Sequence, residues 1–189
     1  MHSLQGGHMK KLVVLTGSPR RKGNSNMMAD AFIARAKELG MEVTRYDAVD
    51  LKLRYCRACR NCFCYGDACI YPDDFSELAR SIVAADGVVF VSPVYWYTFS
   101  APLKLVIDKF YSFLVAKLDF SGKKSALISA CGDPGLETFD GIRFSYHKTI
   151  DLLGIESVGE VLIDNVHGVG EIRTTEGEAL AAELAEKFL

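Results

Sequence analysis

Five short strand-like runs, each followed by a helical pattern, constrain this chain more than any other feature. The runs cover residues 12–15, 41–47, 87–92, 124–130 and 156–163. The helical patterns begin at Asn24 or Ser25 and run to about Leu39, stopped by Gly40; then cover 75–85; then run from Ser100, with Pro102 in the first turn, to about Val115; then 138–153, ended by Gly154; and lastly 174–188. Parallel strands require crossover connections, and those crossovers are right-handed. The expectation is an α/β fold: a doubly wound five-stranded parallel sheet, order 2-1-3-4-5, with helices on both faces. In that order the switch point falls between strands one and three, and ligands bind beyond the carboxyl ends of the strands there. The loops at that place are 17–25 and 92–100.

Composition narrows the partners. The 22 basic and 24 acidic residues leave a net charge of −2, so no basic excess offsets a polyanion and nucleic acid is not an expected partner. No apolar run approaches the roughly 18–20 residues of a membrane span, and the polar start lacks a signal-peptide core, so no membrane partner and a cytoplasmic location are expected. Residues 1–8 (MHSLQGGH) differ in character from the apolar strand pattern that opens after Met9, and they read as an extraneous leader; residues 9–189 read as one domain with a Cys-rich loop at 48–72.

The first strand runs into Thr16-Gly17-Ser18-Pro19-Arg20-Arg21-Lys22-Gly23-Asn24-Ser25-Asn26. Hydroxyls, amides, guanidinium and a helix N-terminus with unpaired N–H groups together favour a phosphate. The P-loop pattern fails, because five residues separate Gly17 from Gly23 and Asn24 stands where a lysine is needed; the dinucleotide fingerprint is absent after this strand. A plain polar βα loop with a helix cap is the alternative, disfavoured by position at the switch point. The third strand leads into Ser92-Pro93-Val94-Tyr95-Trp96-Tyr97-Thr98-Phe99-Ser100, with four aromatics in five residues. Such a loop suits a flat ring ligand, a subunit contact, or both.

Together these loops resemble the NAD(P)H-dependent FMN reductases of the flavodoxin-like superfold. The carriers are G-S-P-R-x-x-G-N-S, then S-P-V-Y-W-Y-x-x-S-A-P-L-K-x-x-I-D, then Gly132-Asp133-Pro134-Gly135 after the fourth strand. The resemblance implies FMN as cofactor and NAD(P)H as co-substrate. It places the phosphate on Ser18, Arg20, Gly23, Asn24, Ser25 and Asn26, and the isoalloxazine along Pro93, Val94, Tyr95 and Trp96, with Ala130, Cys131 and Gly132 on the ring's other side. Electrons would pass to a quinone, azo, nitro, metal or protein acceptor. The flavin carries the chemistry, so no side-chain acid or base is nominated. His147 and His167 read as structural or solvated, and Cys131 as a small wall residue. A homodimer or homotetramer would shield the aromatic loop from water.

Five of the six cysteines fall in the irregular 48–72 segment. In a reducing compartment such a cluster points to metal or redox work rather than to structural disulfides. Cys56, Cys59, Cys62 and Cys69 form C-x2-C-x2-C-x6-C, which is similar to the compact motif of the iron–sulfur flavoproteins and implies a 4Fe–4S cluster. Cys64 is surplus and leaves the fourth ligand open; a loop that keeps its thiols without a stable cluster is the other reading. Three functions are compatible with these features: a nicotinamide-driven FMN oxidoreductase, a ferredoxin-linked iron–sulfur flavoprotein electron carrier, or a non-catalytic thiol redox sensor. The last is weakened because the chain offers no DNA-reading element.

Overall fold

The computed structural model describes residues 9–189, so the leader reading of 1–8 lies outside the described residues. Five strands form one parallel sheet: β1 (Lys11–Thr16), β2 (Glu42–Asp47), β3 (Gly87–Pro93), β4 (Lys124–Ala130) and β5 (Glu156–Ile163), in the order β2-β1-β3-β4-β5. Side chains alternate across a strand, so each inner strand feeds both faces. Leu12 and Val14 of β1, with Val89 and Val91 of β3, pack beneath α1 (Asn24–Glu38) and α6 (Gly177–Ala185). Val13, Leu15, Val88 and Phe90 face the opposite core, built with α2 (Phe75–Ala84), α3 (Ala101–Lys109), α4 (Tyr111–Val115) and α5 (Asp140–Leu153). Burial on both faces is why β1 and β3 are continuously apolar.

Gly40 and Gly154 end their helices as expected, with φ of 82° and 73°, conformations that cost glycine little. Three helices differ from the sequence pattern. The expected helix to Val115 breaks at Phe110, whose N–H bonds back three residues to the Ile107 carbonyl. The kink lets Phe110 and Phe113 both turn inward, and Phe110 packs on both Phe90 and Phe113. The helix expected over 138–153 starts instead with a 3₁₀ turn (Leu136–Phe139), and the last helix is flanked by 3₁₀ turns (Glu171–Thr174 and Glu186–Phe188). Among the described residues no helix is long and apolar enough to cross a membrane.

Candidate flavin site and cysteine pocket

The β1–α1 loop and the β3–α3 loop lie side by side at the carboxyl edge, and backbone contacts hold them there. Gly17 N–H donates to Val91 O at 2.8 Å, and Ser100 Oγ donates to Gly17 O at 2.7 Å. Ser100 N–H donates to Ser92 Oγ at 3.0 Å. Ser100 stands where the sequence pattern puts the cap of α3, but its hydroxyl instead joins the two loops. A Cβ on Gly17 would come within 2.3 Å of Ser100 Oγ, so this approach requires glycine.

A cavity of about 200 Å³ opens over this junction. Ser18, Arg20, Gly23, Asn24 and Ser25 form one wall; Pro93, Val94 and Tyr95, with Ala130, Cys131 and Gly132, form the others. The first α1 hydrogen bond to a preceding carbonyl is Met27 N–H to Gly23 O, which leaves the N–H groups of Asn24, Ser25 and Asn26 as the helix's unpaired donors. A Cβ on Gly23 would sit 3.0 Å from both Ser18 Oγ and Arg20 O, so the cradle is sized for the bare backbone. Among the described residues no carboxylate lines this cavity, and Arg20 is the cation at its mouth. Unpaired N–H groups, two hydroxyls and one guanidinium form a donor set fitted to a phosphate monoester.

Two predicted side chains are committed elsewhere. Asn24 Nδ2 donates to Gly168 O at 2.9 Å and Val166 O at 3.4 Å, while its Oδ1 accepts from Gly170 N at 3.0 Å and Ile172 N at 3.3 Å. Asn26, buried, donates to Arg20 O at 2.9 Å and does not line the cavity. Both amides fix the loop, and of the two residues Asn24 lines the cavity.

A second cavity of about 250 Å³ shares Val94, Cys131 and Gly132 with the first and adds Trp96, Tyr97, Asp133 and Thr138. Together the two fall within the range of cofactor sites. Tyr95 and Thr98 exchange backbone bonds of 2.9 and 3.1 Å across a two-residue turn. Trp96 and Tyr97 occupy it with φ of 47° and 64°, unusual for aromatic residues, and Trp96 is 94% exposed. Cys131 Sγ donates to Asp133 O at 3.2 Å, and burial, with help from Asp164, pushes its thiol up to about 11. It is a wall residue that stays protonated at neutral pH.

The loop after β5 also reaches the site, a role that the sequence reading did not assign to it. Val166, His167 and Val169 line the first cavity, and a Cβ on Gly132 would meet His167 Nδ1 at 2.9 Å. His167, expected to be structural or solvated, therefore stands in the site. Its backbone N–H donates to Glu171 Oε2 at 2.6 Å. His147 on α5 is paired with Glu160, away from the cavity. The signal available for the β5 loop was its place at the carboxyl edge, beside strand four.

The Cys-rich segment forms a separate pocket. Cys56, Cys59, Cys62 and Cys69 all line it; Cys64 does not. The Cys62 thiol is pushed up, by burial first and then by the neighbouring Cys59, Cys56 and Cys69. Ala58, Arg60 and Phe63 have φ of 51°, 58° and 59°, and these left-handed residues curl the loop. Asp73 and Asp74 tie the two ends of the segment together: Lys52 N–H donates to Asp74 Oδ2 at 2.6 Å and Arg54 N–H to Asp73 Oδ2 at 3.0 Å. Among the described residues no three His, Cys, Asp or Glu side chains converge as a single ion requires. A cube-shaped cluster takes one thiolate per iron and holds its ligands farther apart than one zinc ion does. The pocket encloses about 20 Å³, with Cys56 and Cys59 exposed at its surface, and its four thiols are the donor set such a cluster takes. Ser112, buried on the pocket wall, has a hydroxyl with no partner.

The fold and the double cavity define a flavodoxin-like protein, and known structures share that architecture. An FMN-dependent NADH-azoreductase from Bacillus anthracis, solved in complex with FMN, aligns over 94% of this chain and 98% of its own at a TM-score of 0.73 and 15% identity. The NAD(P)H:quinone oxidoreductase from Methanothermobacter marburgensis aligns over 94% and 92% at a TM-score of 0.72 and 17% identity. At such identities the likeness speaks for the fold alone. The family model of the NADPH-dependent FMN reductases matches residues 10–142, and the chain belongs to that family. An iron-sulfur flavoprotein from Methanosarcina thermophila is 32% identical over 159 residues, covering 83% of this chain and 79% of that protein. An iron-sulfur flavoprotein from Archaeoglobus fulgidus is 36% identical over 99 residues, which span 52% of this chain and 44% of that relative's length.

Proposed function

We propose that residues 9–189 form one FMN-binding unit that oxidises NAD(P)H and reduces a small acceptor such as a quinone, azo or nitro compound. The observation that carries this reading is the joining, at one edge, of a phosphate-type donor set to an aromatic-rimmed cavity through shared Val94, Cys131 and Gly132. When bound, FMN supplies hydride exchange between nicotinamide and acceptor. Ser18, Ser25, Arg20 and the N–H groups of Asn24, Ser25 and Asn26 hold the phosphate; Asn24 and Asn26 keep that loop rigid. Val94 and Gly132 flank the ring. The aromatic turn limits access to its outer edge, with Trp96 presented to a second copy of the chain or to the acceptor.

A second reading adds a 4Fe–4S cluster on Cys56, Cys59, Cys62 and Cys69, and is favoured by their shared pocket and by the unpaired Ser112 hydroxyl. Such a cluster supplies single-electron transfer to a redox-protein partner. Anaerobic stopped-flow mixing of the FMN-loaded protein separates the two. Rapid flavin bleaching by NADPH or NADH, followed by reoxidation with a quinone, is expected of the reductase. Bleaching by reduced ferredoxin alone assigns the chain to electron transfer, and a protein that takes up no FMN overturns both.

A further inference from the structure

We propose that Lys109 and Ser112 are the hydrogen-bond donors to the sulfur atoms of the group held by the four pocket cysteines, and that they set its reduction potential; this rests on the cluster reading above.

Lys109 is the last residue of α3, and its side chain is 3% exposed. A lysine ammonium has three donors and no acceptor. All three are directed: to Asp73 Oδ2 at 2.5 Å, to Arg54 O at 3.2 Å and to Cys69 Sγ at 3.5 Å. Arg54 precedes the cysteines and Cys69 is the last one in the pocket, so one ammonium ties together both ends of the loop. Neutralising Asp73 does not account for this arrangement. That carboxylate already accepts two backbone N–H groups, from Arg54 at 3.0 Å and Phe75 at 3.1 Å, and an ion pair would engage a single lysine donor. Lys109 follows Val106 by one helical turn on the buried side of α3.

One turn further on, Ser112 is 2% exposed and lines the same pocket. Its hydroxyl and Asn26 Oδ1 are the two buried side-chain polar atoms without a partner among the described residues. A buried hydroxyl left unpaired is destabilising, so its position calls for an acceptor that the polypeptide does not provide. Thiolate and sulfide sulfurs are such acceptors. Hydrogen bonds and positive charge directed at cluster sulfurs stabilise the more negative, reduced form and raise its potential.

The test uses the full chain, loaded with FMN and reconstituted anaerobically with ferrous iron and sulfide. Iron, acid-labile sulfide and FMN are counted, and the cluster potential is measured by EPR-monitored titration. Ser112→Ala is expected to keep its iron and FMN and to show a lowered cluster potential. Lys109→Met is expected to lose most of its iron while keeping FMN; Lys109→Arg is expected to restore the iron with a smaller downward shift than that of Ser112→Ala. Since Lys109→Met leaves Asp73 buried without its counter-charge and can unfold the chain, the decision rests on Ser112→Ala and Lys109→Arg. Wild-type potentials in both would overturn the proposal while leaving the cluster reading intact. A wild-type chain that incorporates no iron would overturn the cluster reading, and this proposal with it.

Discussion

Replacing Gly141 by alanine is expected to weaken FMN binding by roughly tenfold to a hundredfold, or about 1–3 kcal/mol. Helix propensity alone points the other way, because alanine is favoured over glycine in a helix by about 1 kcal/mol. Gly141 lies in the first turn of α5, and a Cβ there would stand 2.2 Å from Tyr97 O. That neighbour is backbone and cannot rotate aside. Trp96 and Tyr97 already occupy left-handed conformations that cost bulky residues of order 1–3 kcal/mol each, so the turn yields before the helix does. Displacing it reshapes the cavity that Trp96 and Tyr97 line. Fluorescence titration of the apoprotein with FMN checks this, alongside thermal unfolding of the apoprotein. Weakened binding at nearly unchanged apoprotein stability is expected, and wild-type affinity would contradict the role given to the turn.

Gly17→Ala is expected to act on the fold and the site together. Its Cβ would meet Ser100 Oγ at 2.3 Å and Leu103 Cβ at 2.8 Å. Ser100 Oγ is held by Gly17 O itself, and Leu103 is fully buried, so neither neighbour can retreat freely. Overpacking of this kind costs about 1–3 kcal/mol of folding stability. It also separates the phosphate loop from the aromatic loop, so FMN affinity should fall in parallel. Denaturant unfolding of the apoprotein should show a lowered midpoint with an unchanged slope; an unchanged midpoint would show that the two loops are not in backbone contact.

Strand order, the two loops that meet at the carboxyl edge and the glycine stops of α1 and α5 were legible because each is written in consecutive residues. Periodicity and turn chemistry need only local sequence. What escaped depends on contacts between distant segments. Asn24 looked like a phosphate ligand because amides suit that task, yet its side chain bonds to residues more than 140 positions away. His167 is exposed, as the solvated reading expects, but nothing nearby in sequence shows that β5 also delivers it to the cavity beside Gly132. Lys109 shares the buried side of α3 with Leu103 and Val106, but that it reaches the cysteine pocket depends on where the distant 54–73 segment packs. Between Cys64 and Cys69, which the sequence cannot rank, the structure places Cys69 in the pocket beside Lys109 and Cys64 outside it.

The phosphate cradle bears the weight of the functional reading, and apoprotein titration with FMN and with riboflavin in parallel tests it most directly. The two ligands share a ring and differ by the phosphate. With hydrogen bonds to a charged group contributing about 1.5–3 kcal/mol each, FMN should bind at least roughly a hundredfold more tightly than riboflavin. Equal affinity for the two, or binding of neither, would contradict the assignment of the 17–26 loop as a phosphate site.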